Sequence, residues 1–327
     1  MNQQVPVLAD LHRVRPAIYW TDLLASAGLG WSAFALAATH EFGSKLGMAA
    51  MVVAVFALYR ALAFTHEISH QAHRIKGFET AWNWLVGFPL LLPSFTYAEV
   101  HFDHHRVATY GTAADPEYLP FARSAPMTAG YCLHTLFIPP LLCLRFLVLA
   151  PLAFLVPPLE RVLVEQASAI TINRRYRRKA TEKLLRVVRR DTLRLLALWT
   201  CAIALLALGV IPPRAIAVWF IVASAITFID GLRTLAAHAY ESEGASMDKA
   251  AQASDSIDIP GQVWTELWAP VGLRYHATHH GYPGIPYHAL PAAYARLLQA
   301  TPSYAAMTRP GLFGTLRELY RKGLRAS

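Results

Sequence analysis

Only three cysteines occur in the 327 residues, Cys132, Cys143 and Cys201. Each stands alone in an apolar run, so there is no CxxC redox or zinc motif, no cysteine-held iron–sulfur cluster and no disulfide framework. Charge is scarce as well: Asp, Glu, Lys and Arg make up 16% of the chain, against 55% hydrophobic residues. Ordinary soluble domains carry roughly 25% charged residues. With a mean hydropathy of +0.31, the composition indicates a lipid-embedded protein. Acids are the scarcer sign, 21 against 30 Lys and Arg, which gives a formal net charge of +9. Such a surplus suits nucleic acid, anionic lipid or the cytoplasmic loops of a membrane protein. No nucleic-acid-binding module accompanies it, and nucleic acid is set aside as a partner. Internal repeats and low-complexity tracts are also lacking.

What is abundant is long apolar sequence. Stretches 17–38, 46–64, 193–211 and 215–235 each approach the ~20 residues needed to cross a bilayer. They pair as two hairpins through short joints, 40–45 and 212–214, that hold little charge. Lys and Arg concentrate elsewhere, and the positive-inside rule then places both termini and the long middle segment in the cytoplasm. The first stretch follows Arg13 and Arg15 and has the outline of a secretory signal, but it exceeds the roughly 7–15 residues of a signal core. Stretches 82–97 and 132–159 carry Pro89 and Pro93, then Pro139, Pro140, Pro151, Pro157 and Pro158. They read as helices lying in the membrane interface, because proline frees backbone groups that lipid cannot satisfy; a fifth and sixth span is the alternative. The expectation is an all-α integral membrane protein forming one domain over 1–327. The basic run 174–190 reads as a solvated cytoplasmic helix touching anionic headgroups, or as a dock for an acidic redox or acyl-carrier partner.

Histidine is the residue out of place in so apolar a chain: there are 14, and they cluster. HEISHQAH holds His66, His70 and His73; HFDHH holds His101, His104 and His105; HATHH holds His276, His279 and His280. On a helix, positions i, i+3 and i+4 share a face, so each triplet converges, and His66 and His70 stand one turn apart. Neutral imidazole suits iron, zinc, copper or nickel. The eight histidines at 66, 70, 101, 104, 105, 276, 279 and 280 exceed what a single ion of about four to six ligands uses, so two neighbouring ions are the economical reading.

HEISH, HFDHHR followed by ADPE, and LRYHATHHGYPGIPYHAL, in that order over about 65–298, resemble the membrane fatty acid desaturase superfamily, which includes hydroxylases and ketolases. The resemblance implies a mushroom-like fold with four membrane spans in two hairpins, interfacial helices, and a cytosolic helical cap carrying a diiron centre. It also implies the metal ligands: His66 and His70, then His101, His104 and His105, then His276, His279 and His280, with His238 of RTLAAHAY as a further ligand after the last span. His73 and His288 are weaker candidates, while His12, His40 and His134 have no cluster to join. Glu67, Asp103, Asp115, Asp230 and Glu266 are candidate acceptors for imidazole N–H groups. Asn83, beside two tryptophans, reads as an interfacial anchor.

The implied activity uses O2 and two electrons to desaturate an acyl or related lipid chain, with hydroxylation or ketolation as the alternative. No residue decides between them, and the resemblance leans to desaturation, with some likeness to sphingolipid desaturases. The electrons require a separate ferredoxin, rubredoxin or cytochrome, since no cluster motif is fused. The location implied is a bacterial inner membrane with the metal site cytoplasmic. Two readings of other classes remain. HEISH fits the HExxH formula of a zinc hydrolase with Glu67 as base, and a metal transporter or sensor would also carry histidine, although the expected spans offer an ion little beyond Thr200, Ser224 and Thr227.

Overall fold

The computed structural model describes residues 8–326. Positions 1–7 and Ser327, assigned with the termini to the cytoplasmic side, lie outside the described residues. Helix α1 (Pro16–Thr39) starts on a proline, whose missing N–H is harmless in a first turn. Ser44 caps α2 (Lys45–Gln71) by accepting from the Gly47 N–H at 3.2 Å. The two form a hairpin whose close approach requires Gly30: a Cβ there would meet Leu58 Cδ2 at 2.6 Å. Asp22 of α1 fixes the pair further by accepting from Arg60 Nε at 2.7 Å and Nη2 at 2.6 Å.

Further helices, besides short ones at Phe78–Trp82 and Thr265–Trp268 and the segments of 138–155 described below, are α3 (Ala98–His105), α4 (Ala125–Thr135), α5 (Pro157–Ala167), α6 (Glu182–Ala207), α7 (Arg214–Leu235), α8 (Lys249–Asp255), α9 (His276–Gly281), α10 (Leu290–Ala300) and α11 (Leu312–Ala326). No β-strand occurs among the described residues, only isolated bridges joining His238 to Ser256 and Asp258 to Tyr275 and Thr308. The main apolar core joins α1, α2, α7 and the segment around Trp82 to Leu92.

Three helices among the described residues are long and apolar enough to cross a membrane: Lys45–Arg74, Ile138–Leu155 and Arg214–Leu235. The first and third contain the expected spans 46–64 and 215–235. The expected span 17–38 lies within α1, and 193–207 of the expected span 193–211 lies in the C-terminal part of α6, which ends at Ala207 before a turn at 208–211. They fall short in apolar character because α1 opens with Asp22 near its start and α6 opens with Arg186, Arg189, Arg190, Asp191 and Arg194.

Ile138–Leu155 was expected to lie broken in the interface, and it is a continuous run instead. Pro139 and Pro140 occupy the first turn, where no N–H is needed, and Pro151 directly follows a π-helical stretch at Leu144–Leu149 whose widened turn leads into it. The stretch 82–97 differs too. It is mostly interior, with Trp82, Phe88, Leu91 and Phe95 buried. Asn83 does not anchor an interface; its amide bonds Ser94 in both directions at 2.8 Å, N–H to hydroxyl and carbonyl from backbone N–H.

The basic run is not one solvated helix. α6 begins at Glu182, capped by Thr181, and Arg178 before it is buried. Its guanidinium donates to the Phe95 and Ser168 carbonyls at 2.7 and 3.2 Å and to Glu99 at 2.9 Å, so it serves as an internal strut.

Trp82 is wholly buried and donates from Nε1 to the Ala61 carbonyl of α2 at 2.7 Å. Trp82→Ala should cost about 3–5 kcal/mol, read as a lowered unfolding midpoint in detergent. A loss below ~1 kcal/mol would mean the indole is not a keystone of this core.

Candidate metal centre

Four separate pieces of chain deliver histidines to one place. The end of α2 brings His66 and His70, α3 brings His101, His104 and His105, the chain leaving α7 brings His238, and α9 brings His276, His279 and His280. All nine are buried except His70, which is half-buried. Eight of them sort into two clusters: His66, His70, His101 and His279, and His104, His238, His276 and His280. Within each, one ring nitrogen per residue lies within 4.8 Å of the others. His105 adjoins the first, its Nε2 lying 3.0 Å from His101 Nε2 and 3.1 Å from His279 Nε2. Its ring also stacks 4.3 Å from His280 of the second.

In the second cluster His276 Nε2 lies 2.9 Å from His238 Nε2 and 3.1 Å from His280 Nε2. Neutral imidazoles that share one tautomer cannot all face each other so closely without a cation between their lone pairs. Nitrogens about 2.1 Å from one ion and at right angles sit roughly 3 Å apart. Both ring nitrogens of His66 and the Nε2 atoms of His70 and His104 are buried with no hydrogen-bond partner. This donor set fits a pair of first-row transition-metal ions.

Three of the opposite ring edges are held by the fold, while the Nδ1 atoms of His105, His276, His279 and His280 are buried without a hydrogen-bond partner. His101 Nδ1 lies 2.9 Å from Glu117 Oε1 and 2.9 Å from the Tyr97 hydroxyl. His104 Nδ1 lies 2.9 Å from Asp115 Oδ1, and Asp115 is itself fixed by the Gly111 and Glu117 N–H groups at 2.8 Å each. His238 Nδ1 lies 2.9 Å from the Tyr110 hydroxyl, which donates onward to Asp255 at 3.0 Å. These contacts assign the proton to Nδ1 and leave Nε2 facing inward. The bridge from His238 to Ser256 fixes the one histidine that no helix carries. Asp258 holds α9 by accepting from the Thr278 N–H at 3.1 Å and hydroxyl at 2.7 Å, and burial pushes its carboxyl up to about 6. Burial likewise pushes Glu117 up to about 7.

Burial, reinforced by neighbouring imidazoles, holds His101, His105, His238, His276, His279 and His280 well below the usual histidine range. They are therefore neutral and ready to donate lone pairs. His104 differs: burial opposes its charge, but Asp115 beside it wins and raises it.

The fatty acid desaturase profile matches residues 42–311, which include every one of these histidines. The chain belongs to the fatty acid desaturase family. Together with its three long apolar helices, this makes it an integral-membrane oxidoreductase. It is also 40% identical to a protein named ceramide hydroxylase from Caulobacter vibrioides (strain NA1000 / CB15N), over 98% of this chain and 93% of that protein.

Among the weaker candidates of this desaturase-family chain, His73 is exposed in a turn after α2 and joins neither cluster. His288 packs edge-on against Tyr19 at 6.0 Å, and His12 and His40 lie at the surface ends of other elements. Of the five acids expected to orient imidazoles, Asp115 does so. Glu67 instead accepts from the Tyr19 hydroxyl and from the Tyr287 N–H at 3.1 Å, which leaves it unavailable as the base of a HExxH hydrolase. Asp103 pairs with Tyr176 and Arg106, Glu266 with Arg60 and Arg274, and Asp230 with Arg233. The orienting groups not anticipated are Tyr97, Tyr110, Glu117 and Asp255. Tyr97 stands four residues before His101, and Glu117 closes the ADPE motif, so spacing held a signal for those two.

A pH dependence follows for the metal-free protein. For the six imidazoles held low, the unfolded chain binds more protons, so their stabilisation is present above pH ~6.5 and is lost as pH falls below it. Among the imidazoles His104 has the opposite sign, fading as pH rises through its folded value, and Glu117 and Asp258, raised to about 7 and about 6, act with it but are outnumbered by the six. Melting temperatures of metal-free protein should therefore fall between about pH 7 and pH 5; a flat profile would contradict the buried, neutral assignment.

Proposed function

We propose that this chain is a membrane lipid hydroxylase with a non-haem diiron centre, acting on ceramide or a closely related N-acyl lipid. The observation that carries the reading is the pair of histidine clusters, nine rings in all with His105, opening at His66 onto a cavity between the helices. The near full-length likeness to a protein named ceramide hydroxylase supports hydroxylation over the desaturation favoured by motif resemblance, and supports a ceramide-like substrate.

The proposed ligands are His66, His70, His101, His105 and His279 for one iron and His104, His238, His276 and His280 for the other. Such a centre supplies oxidising power, so that with O2, two electrons and two protons a C–H bond becomes C–OH and the second oxygen atom leaves as water. The protein's own work is positional. Glu117, Asp115 and Tyr110 hold ring edges so that the Nε2 atoms stay aimed inward. The walls from α2 and α7 set which carbon can come near His66 and keep bulk water away. Electrons come from a separate ferredoxin, rubredoxin or cytochrome, since no cysteine cluster is present in the sequence. A ceramide-like substrate needs no acyl carrier. The location proposed is a bacterial inner membrane, with the metal centre on the cytoplasmic face.

Expression in a bacterium that makes unhydroxylated ceramide, followed by lipid mass spectrometry, should reveal ceramide that has gained one oxygen. Loss of two hydrogens would return the assignment to desaturation. Purified protein should hold about two irons per chain, and His104→Ala and His279→Ala should each lose metal and product. Stoichiometric zinc with oxygen-independent turnover would overturn the diiron reading.

A further inference from the structure

The cavity that opens at His66 has a volume of about 120 Å³ and two unlike walls. One is apolar, with Leu92, Ile138 and Ile170; the other presents Arg233, Asp230 and Tyr97. Arg233 and Asp230 lie in the last turns of α7, one of the three helices able to cross the membrane. Charged groups in such a helix are costly, and they persist where they face a cavity they serve.

The pair is incompletely satisfied. Arg233 Nη2 donates to Asp230 Oδ1 at 3.0 Å, and Tyr59 donates to the same oxygen at 3.3 Å. Arg233 Nε is buried with no hydrogen-bond partner, in a side chain that is only 11% exposed. The Asp230 side chain is 43% exposed and lines the cavity. An unused donor therefore stands beside an accessible carboxylate. That arrangement matches a ligand with a carbonyl acceptor and an N–H or O–H donor a few bonds apart, which a plain acyl chain lacks and an N-acylated amino alcohol has.

Size agrees with this assignment. The inner cavity, at about 120 Å³, has room for small polar groups such as an amide and a hydroxyl. The remainder has somewhere to go: a second cavity of about 600 Å³ shares Tyr131, His134 and Ile172 with the first and carries Arg123, Arg174 and Asn173 on its wall.

We infer that Arg233 and Asp230 form a subsite for the amide and hydroxyl groups of the substrate, which places the oxidised carbon within a few bonds of the polar head and directs the tails along the apolar wall. This rests on the hydroxylase reading. Arg233 and Asp230 are positioning residues; neither adjoins a histidine of the clusters in sequence.

The test uses full-length protein with a short-chain ceramide. Arg233→Gln should raise KM about 10- to 100-fold, leave iron content unchanged and spread the new hydroxyl over more than one carbon in tandem mass spectra. Arg233→Lys should restore part of the affinity, and Asp230→Asn should weaken binding in the same direction. An unaltered KM with the hydroxyl at a single unchanged position in Arg233→Gln would sink the subsite. Wild-type protein provides a check that no folding defect can confuse: N-methylated and deoxy ceramide analogues should bind at least about tenfold more weakly, and equal binding would overturn the assignment. Binding of a fluorescent short-chain ceramide separates the two readings. If wild type binds with that discrimination yet forms no oxygenated product, the reaction assignment has failed and the subsite stands; if product forms without discrimination, the subsite has failed.

Discussion

Imidazole lone pairs repel one another, and this fold forces nine rings into a buried volume with their Nε2 atoms as close as 2.9 Å. Such an arrangement stands only if something positive sits among the nitrogens, or if the rest of the molecule holds the rings against their own repulsion. The protein provides the second condition and is shaped for the first. Glu117, Asp115 and Tyr110 take the outward Nδ1 edges of His101, His104 and His238, and Asp258 clamps the short helix that carries three of the ligand candidates. Because burial keeps most of the rings neutral, their electron pairs are available near physiological pH.

The long helices act as supports for this arrangement. α1 and α2 are held together through Gly30 and the Asp22–Arg60 contact, and α2 ends in the first histidine pair. Glu67, between those two histidines, faces the other way and ties α2 to Tyr19 of α1 and to the backbone at Tyr287. One turn of helix therefore serves both purposes: its histidines face the proposed metals while its acid fastens three chain segments behind them. α7 contributes the polar wall of the cavity and leads directly into His238.

Much of this was legible in sequence, for a definite reason. Histidines at i, i+3 and i+4 share a helix face whatever the tertiary structure, so spacing marked each triplet as a unit, but the division of His101 from His104 and of His279 from His276 and His280 between two clusters was not in the spacing, and His238 was named from family resemblance. Apolar runs marked where helices lie. The partners of the ring edges were less legible, because Tyr110 stands 128 residues from His238 and 145 from Asp255, separations that no local pattern encodes. Proline misled for a similar reason: in 138–155 its cost depends on whether it falls in a first turn, which composition does not reveal. Arg178 resembled its exposed neighbours in the basic run, but a tertiary pocket of carbonyls claimed it. The span 17–38 and, up to Ala207, the span 193–211 were located correctly as helices, while their polar ends set them apart from the more apolar three.

Neither cluster owns its scaffold. α3 gives His101 to one and His104 to the other, and α9 gives His279 to one and His276 and His280 to the other. Whatever stiffens these two short helices at the first site also removes conformational freedom at its neighbour, so the second ion meets rings whose ordering cost has already been met. On the two-metal reading proposed above, that shared scaffold favours filling both clusters together over leaving one of them half-ordered.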